Sequence, residues 1–262
     1  MSHLLADLTW TEVAEVKHRA PLLIVPVGSC EQHGPAMALR TDSARAEAVA
    51  ARLAAALAPE VLVTPCVPFG VSEHHMAFPG TITLDPITFQ QIVYEVVRSV
   101  YRHGWRKVFV LNGHGGNTSA LGVLLDRCLA DFPDLQIAAA GISPVVNDIS
   151  KRHAVSEIFG HSCEIETSQA MYLAPELVRD DLRVAGTSTR AELGPIGALA
   201  RSGLAIASHQ SFATMSALGN LGDARAATPE IGEELIATYI ERVVPYLRAL
   251  IAAPPTTLEV RS

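Results

Sequence analysis

The sequence is poor in charge and in aromatic rings, at 18% and 5% of its 262 residues, and each shortage removes a class of function. A formal charge of −7 with no run of lysine or arginine argues against a nucleic-acid surface. No apolar run reaches the length that crosses a bilayer, so no membrane partner is expected. The first residues, Met1-Ser2-His3-Leu4-Leu5-Ala6-Asp7, lack the basic start and long apolar stretch of a secretion signal. A cytoplasmic protein is expected. The four cysteines, Cys30, Cys66, Cys128 and Cys163, are far apart and form no CxxC pair, which argues against a disulfide framework. They read as small buried thiols, although Cys30 and Cys163 stand beside candidate metal ligands and leave thiol coordination open. Repeats, low-complexity tracts and linkers are missing too. The expected organisation is one domain over residues 1–252 and a tail, 253–262, that frays from Pro254 onward.

Apolar residues make up 49% of the chain, enough for a large core. Short apolar runs alternate with helical patterns. Leu22 to Gly28, Val61 to Thr64, Lys107 to Leu111 and Gln136 to Ala140 read as buried strands. Asp42 to about Leu57 is alanine-rich and favours helix. Ile92, Val93, Val96, Val97 and Val100 fall at helical spacing before Gly104. Thr118 to Leu129 and Pro229 to Leu250 also read as helices. Continuous apolar strands between helices predict an α/β fold, a mostly parallel sheet covered on both faces.

Three clusters carry metal-type ligands: Glu31-Gln32-His33-Gly34-Pro35 with Asp42, Asn112-Gly113-His114-Gly115-Gly116-Asn117, and His161 with Glu164 and Glu166. Imidazole and carboxylate together suit zinc, manganese or iron more than calcium. Several carboxylates among few histidines suit two metals with an acid bridging them. Glu31 and His33 are two apart, so in an extended segment they point the same way. Asp42 opens a helix and taken alone reads as an ordinary N-terminal acid. The glycine-rich loop also fits a phosphate cradle, but no Gly-Lys-Ser/Thr ending follows. Glu164 and Glu166 lie about 200° apart on a helix, so only one faces a given site. Ser72-Glu73-His74-His75-Met76-Ala77-Phe78-Pro79-Gly80 reads as a loop that lines or covers a pocket, or as a solvated surface loop. Glu31 follows the first strand and His114 the third, and in open parallel sheets sites form at the carboxyl ends of strands. The two clusters are therefore expected to meet there.

Taken in order, these stretches resemble the creatininase (creatinine amidohydrolase) family. The matching pieces are Leu8-Thr9-Trp10, Val25 to Ser29 running into Glu31-Gln32-His33-Gly34-Pro35, Thr41-Asp42, Phe78-Pro79-Gly80-Thr81, the Asn112–Asn117 loop, Glu166-Thr167-Ser168 and Gly222 to Thr228. The resemblance implies a three-layer α/β/α sandwich, two divalent metal ions per subunit (zinc, manganese or iron), hydrolysis of C–N bonds in small amides, and a homo-oligomer, commonly a hexamer. It implies Glu31, His33, Asp42 and His114 as ligands, with Asp42 bridging, and His161 as the catalytic histidine. Creatininase proper carries a glutamate ligand where this chain has Gly116, and Glu166 looks like the replacement. Ser72, His75, Phe78, Gly115, Gly116 and Asn117 are the expected substrate contacts.

Three departures bear on the substrate. The glutamate is changed. The tryptophans that pack creatinine have no match, since the only two here are Trp10 and Trp105 and Glu157 falls near one expected position. Ala36-Met37 replaces a common His-Leu. Creatinine is therefore a poor expectation. Relatives with the Gly-Gly-Asn ending include formamidopyrimidine-nucleotide deformylases and the peptidase of mycofactocin maturation. The reading is an amidohydrolase of small non-peptide substrates. The alternatives are a peptidase trimming a modified peptide, or a catalytically silent small-molecule or nucleotide binder.

Overall fold

The computed structural model describes residues 3–200 and 209–256. In chain order these form α1 (Trp10–Val16), β1 (Leu22–Val27), α2 (Thr41–Ala56), β2 (Val61–Val63), α3 (Pro86–Arg102), β3 (Lys107–Asn112), α4 (Thr118–Asp131) and β4 (Gln136–Gly141). Short helices α5 (Ile142–Val145) and α6 (Asn147–His153) follow, then α7 (Glu164–Leu173), α8 (Gly194–Ala200), α9 (Phe212–Met215) and the long α10 (Pro229–Ala252). The four strands run parallel in the order β2-β1-β3-β4.

The period of two along β1 builds the three layers. Leu23, Val25 and Val27 join Phe89, Val93 and Val97 of α3 and Leu121 and Leu124 of α4 in one core. Leu22 and Ile24 join Val49 and Leu53 of α2 and Leu235, Tyr239 and Val243 of α10 in the other. Each such aliphatic side chain contributes roughly 1.5–3 kcal/mol by leaving water, and two covered faces explain strands that are apolar throughout. Helix starts follow local chemistry. The Asp85 side chain accepts from Ile87 and Thr88 N–H ahead of Pro86, and Thr228 does the same for Ile231 ahead of Pro229. The sequence reading missed α1, whose signal is the capping box formed by Thr9 and Glu12. At the start of the expected tail, Lys107 Nζ donates to Ala253 O and Gln136 Nε2 to Pro254 O, which fastens the end of α10 to the sheet. The rest of that expected tail, 257–262, lies outside the described residues.

The chain leaves β1 toward β2 and returns to place β3 on the other side of β1, so the order reverses between β1 and β3. Val27 pairs with Asn112 in that register. The Glu31 and His114 loops therefore leave adjacent strand ends at the switch point, where such sheets bind ligands.

Candidate metal centre

The first turn of α2 is pressed onto these two strand ends by the absence of side chains. A Cβ at Gly28 would meet Ser43 Cα at 2.5 Å, and one at Gly113 would meet Asp42 O at 2.4 Å. Only glycine fits at such distances. The result is that Asp42 enters between the two loops. Its Oδ1 lies 3.3 Å from His33 Nε2 and its Oδ2 lies 3.0 Å from His114 Nδ1. Asp42 does not merely cap its helix; it stands between two imidazoles with one oxygen toward each.

Glu31 faces the same space. Ser72 Oγ donates to its Oε2 at 2.6 Å and Ser29 Oγ at 3.2 Å. His114 Nε2 is 3.2 Å from that oxygen, and His75 Nε2 is 3.3 Å from Oε1. From α7, Glu166 brings Oε2 to 3.8 Å from both His33 Nε2 and His161 Nδ1. Ser162, at φ +51°, donates its backbone N–H to that oxygen and its hydroxyl to His33 O. Glu164 turns the other way, accepting backbone N–H groups from Val155, Ser156 and Asp223 at 2.9–3.0 Å. The two acids divide as the helical angle requires.

The orientation of the imidazoles matters most. His33 Nδ1 sits 3.1 Å from Glu31 O, His114 Nε2 3.0 Å from Val71 O, and His161 Nε2 2.8 Å from Gln32 O. A backbone carbonyl only accepts, so each of these nitrogens carries the hydrogen. The opposite nitrogen of each ring is then turned to a carboxylate, His33 Nε2 and His114 Nδ1 to Asp42 and His161 Nδ1 to Glu31 and Glu166, while His114 Nε2 also lies beside Glu31. Such an N–H to carbonyl bond is what fixes the tautomer of a metal-binding histidine. Asp42 Oδ2 is buried and makes no hydrogen bond despite its 3.0 Å approach to His114 Nδ1; the approach lacks hydrogen-bond alignment. A carboxylate oxygen facing a bare ring nitrogen is a pair that a cation satisfies. Four overlapping sets of ligand atoms, three of them sharing Glu31, each lie within 4.8 Å of one another: Glu31/His33/Asp42, Glu31/His74/His114, Glu31/His75/His161 and His33/His161/Glu166. The donor set fits divalent metal.

Without metal, protons take the cations' place. Burial disfavours a charged His33, but Asp42, Glu166 and Glu31 outweigh it and raise its pKa to about 9. Burial also opposes charge on His114, and Glu31 and Asp42 override it, holding its pKa well above the ordinary value. Asp42 is held well below the carboxylate range, burial being overcome by His33 and His114. Glu31 is lowered against burial by His114 and His161. His161 is lowered by burial and then by His33. Burial first and His161 second push His75 down to about 2.

The cluster opens into a cavity of about 750 Å³. Of the expected substrate contacts, Gly115, Gly116 and His75 line it. Ser72, Phe78 and Asn117 do not. Ser72 is committed to Glu31, and Phe78 packs into a small apolar cluster with Ile158, Leu193, Phe212 and Leu221. Asn117 accepts from Val71 N–H and donates to Gly28 O. Nor does the glycine loop approach a ligand with all three glycines: a Cβ at Gly116 would meet Val71 O at 2.2 Å and His114 Nε2 at 2.4 Å. A glutamate there, as in creatininase proper, has no room. The thiols stand apart from the ligand sets, and burial pushes Cys163 up to about 12.

Four participants escaped the sequence reading. Arg45, fully buried, reaches Glu166, Asp42 and Gln169; its signal was an arginine one helical turn after Asp42. Gln32 Nε2 donates to Gly219 O at 2.9 Å and sits 2.7 Å from His75 Nδ1. His74 joins a ligand set, and the Phe212 ring, 4.1 Å from the His75 ring and 4.9 Å from His161, roofs the histidines. Nothing local in the sequence marked Gln32 or Phe212 for these places.

A parallel sheet with buried imidazoles and carboxylates at its switch point defines a metallohydrolase of the α/β class. The chain matches the creatininase family (creatinine amidohydrolase) over residues 6–247 and belongs to it. It is 34% identical to the mycofactocin precursor peptide peptidase of Mycolicibacterium smegmatis, over 84% of this chain and 81% of that one. It is 27% identical to the creatinine amidohydrolase of Pseudomonas putida, over 95% and 97%. A crystal structure of creatinine amidohydrolase superposes with a TM-score of 0.82 at 26% identity, covering 97% of this chain and 99% of that one. Related creatininase structures are described as a Zn–Zn type and a manganese form. The family is one of metal-dependent amidohydrolases. Among the described residues no helix is long and apolar enough to cross a membrane.

Proposed function

We propose that the chain hydrolyses an amide bond in a peptide or peptide-derived substrate, with two divalent metals that Glu31, His33, Asp42, His114 and Glu166 would hold, Asp42 offering one oxygen toward His33 and the other toward His114. When bound, the metals supply Lewis acidity, which activates water near neutral pH and polarises the scissile carbonyl. The chain's own groups do the rest. Ser72 and Ser29 fix the Glu31 carboxylate. Arg45 holds Glu166. His161 keeps its Nε2 hydrogen on Gln32 O, so Nδ1 is the nitrogen that moves a proton at the leaving amine. Phe212 and the His75 ring exclude water from one side.

The observation that carries this reading is the trio of histidines whose carbonyl-bonded nitrogens turn the opposite nitrogens toward three buried carboxylates. The preference for a peptide rests on size and likeness. A cavity of about 750 Å³ falls among those that enclose drug-sized ligands, far more than one small ring fills. Neither tryptophan lines it: Trp10 is exposed, and Trp105 donates to Ala20 O. The relatives at 32–34% identity are named as peptidases. A second reading, a small cyclic amide or formamide, is favoured by the structural match to creatinine amidohydrolase. The test is a panel of short peptides, formamides, lactams, hydantoins and creatinine, incubated with zinc- or manganese-loaded protein and followed by mass spectrometry. Turnover of peptides supports the proposal. Turnover confined to small amides overturns it.

A further inference from the structure

The two edges of the sheet are treated differently. At β2 the outer edge is covered: Val63 N–H donates to His3 O at 2.8 Å, and Leu4 bridges Val63. β1 and β2 are buried along their whole lengths, whereas all six residues of β4 are partly exposed. Beyond its ladder with β3, no backbone hydrogen bond among the described residues reaches Ile137 to Ala140. Sheet edges ordinarily carry charge, proline or a covering segment, because unpaired backbone groups recruit another strand. This edge carries Ile137-Ala138-Ala139-Ala140.

The open edge also runs into the catalytic cavity. Ile137 and Ala139 pack toward the α3/α4 core, Ala138 and Ala140 toward the α2/α10 core. The cavity touches Ala139, Ala140 and Gly141, the carboxyl-terminal half of the strand; Ala139 and Ala140 point to opposite faces, so the cavity reaches the strand's edge at that end and is not confined to one face. Leu121 and Leu125 of α4 form one wall, and Pro144 and Val145 of α5 the other. The same cavity holds Glu31, Asp42 and Glu166, and its buried Asp42 Oδ2 has no hydrogen-bond partner.

We propose that the free edge of β4 is the docking edge for an extended, apolar stretch of a peptide substrate. The substrate adds as a fifth strand and brings its scissile amide to the carboxylates and histidines beyond Gly141. Main-chain hydrogen bonds give such binding its affinity and alternate side-chain pockets its selectivity. With a side-chain period of two, successive substrate residues face Leu121 and Leu125, then Pro144 and Val145. The proposal rests on the peptide reading above and adds where and how the peptide lies.

The test uses the full-length, zinc-loaded enzyme and nonapeptides of alanine, valine and leucine, each N-methylated at one backbone position in turn. N-methylation at alternate positions on one side of the cleaved bond is expected to raise KM about tenfold, and at intervening positions less than twofold, the loss of one main-chain hydrogen bond at a time. Hydrogen exchange of the Ile137–Ala140 amides reports the occupant: addition of an uncleavable N-methyl peptide should protect alternate amides. If peptides are cleaved with no period of two, the docking edge is wrong and the peptide reading stands. If only small non-peptide amides are cleaved, both fail. Protection already present without peptide overturns the docking proposal. Loss of that protection on dilution would identify a second copy on the edge, and its loss on deleting residues 257–262 would identify the chain's own terminus.

Discussion

Arg45 Nη1 lies 2.5 Å from Glu166 Oε1 while its neighbour contact, Asp42 Oδ1, lies at 3.2 Å, all three side chains being withdrawn from water. One guanidinium thus joins α2 to α7 behind the centre and offsets part of the repulsion among Glu31, Asp42 and Glu166. A buried pair adds little over an apolar substitute, but removing one partner strands a charge and costs about 3–5 kcal/mol. Arg45→Met is expected to lower the stability of the metal-free protein by that order, read from urea unfolding. A loss below about 1 kcal/mol would show that the carboxylates need no such partner.

Glu164 and Glu166 should fail in different ways. Glu166→Gln should reduce bound metal, measured by elemental analysis after dialysis, and should also lower stability, because the buried Arg45 loses a charged partner. Glu164→Gln should keep metal but lose stability, because its NH₂ would face a backbone donor in either orientation, Asp223 on one side or Val155 and Ser156 on the other. Each hydrogen bond to a charged group is worth roughly 1.5–3 kcal/mol. Metal loss in the Glu164 variant alone would reverse the assignment.

Asp42→Ala should release both metals, since its two oxygens face His33 and His114 separately. His33→Ala should weaken one. Titration with a chromogenic chelator distinguishes one site from two, and equal losses in the two variants would remove the bridging role.

His161→Ala is expected to keep the fold and the metals and to lose 10²–10⁴ in kcat, roughly 3–5 kcal/mol of barrier. The effect should shrink for substrates with better leaving groups. His161 stands closer to the centre than expected from sequence, its Nδ1 3.7 Å from Glu31 Oε1 and 3.8 Å from Glu166 Oε2. Loss of a metal in this variant would make it a ligand instead.

Stability of the metal-free protein should depend on pH in a defined sense. His33, raised to about 9, and His114, held well above its ordinary value by Glu31 and Asp42, contribute stability that is full below the unfolded value of about 6.5. It is lost as pH rises through 9. Asp42 and Glu31 are lowered, so their contribution is present above about pH 4 and lost below it. His75, held near 2, must stay neutral in the fold and adds to the acid-side loss. The metal-free melting temperature should therefore fall between pH 6.5 and 9.5, and added zinc should abolish that fall, because metal takes the protons' place. A flat metal-free profile over that range contradicts this charge arrangement.

The strands, the long helices and the three ligand clusters were legible because each is written in a few neighbouring residues. Val93, Val97 and Val100 repeat at helical spacing, Leu22 to Val27 is continuously apolar, and Glu31-x-His33 and Gly113-His114-Gly115 follow strands. Parallel topology alone brought Glu31 to His114, since loops from adjacent strand ends must meet at the switch point. The choice of Glu166 over Glu164 was readable from the helical angle.

Other features belong to the tertiary structure, because they depend on which distant segment arrives opposite. Ser72 fixes Glu31, forty-one residues away in sequence. Asn117 is spent on Val71 and Gly28. Arg45, Gln32 and Phe212 take their roles from Glu166, His75 and the histidine cluster. The difference between a covered β2 and an open β4 appears only once the strand order is fixed. Sequence carries residue chemistry and local periodicity; side-chain hydrogen bonds and sheet edges are decided by packing, where a polar group's partner is set by the three-dimensional path of the chain.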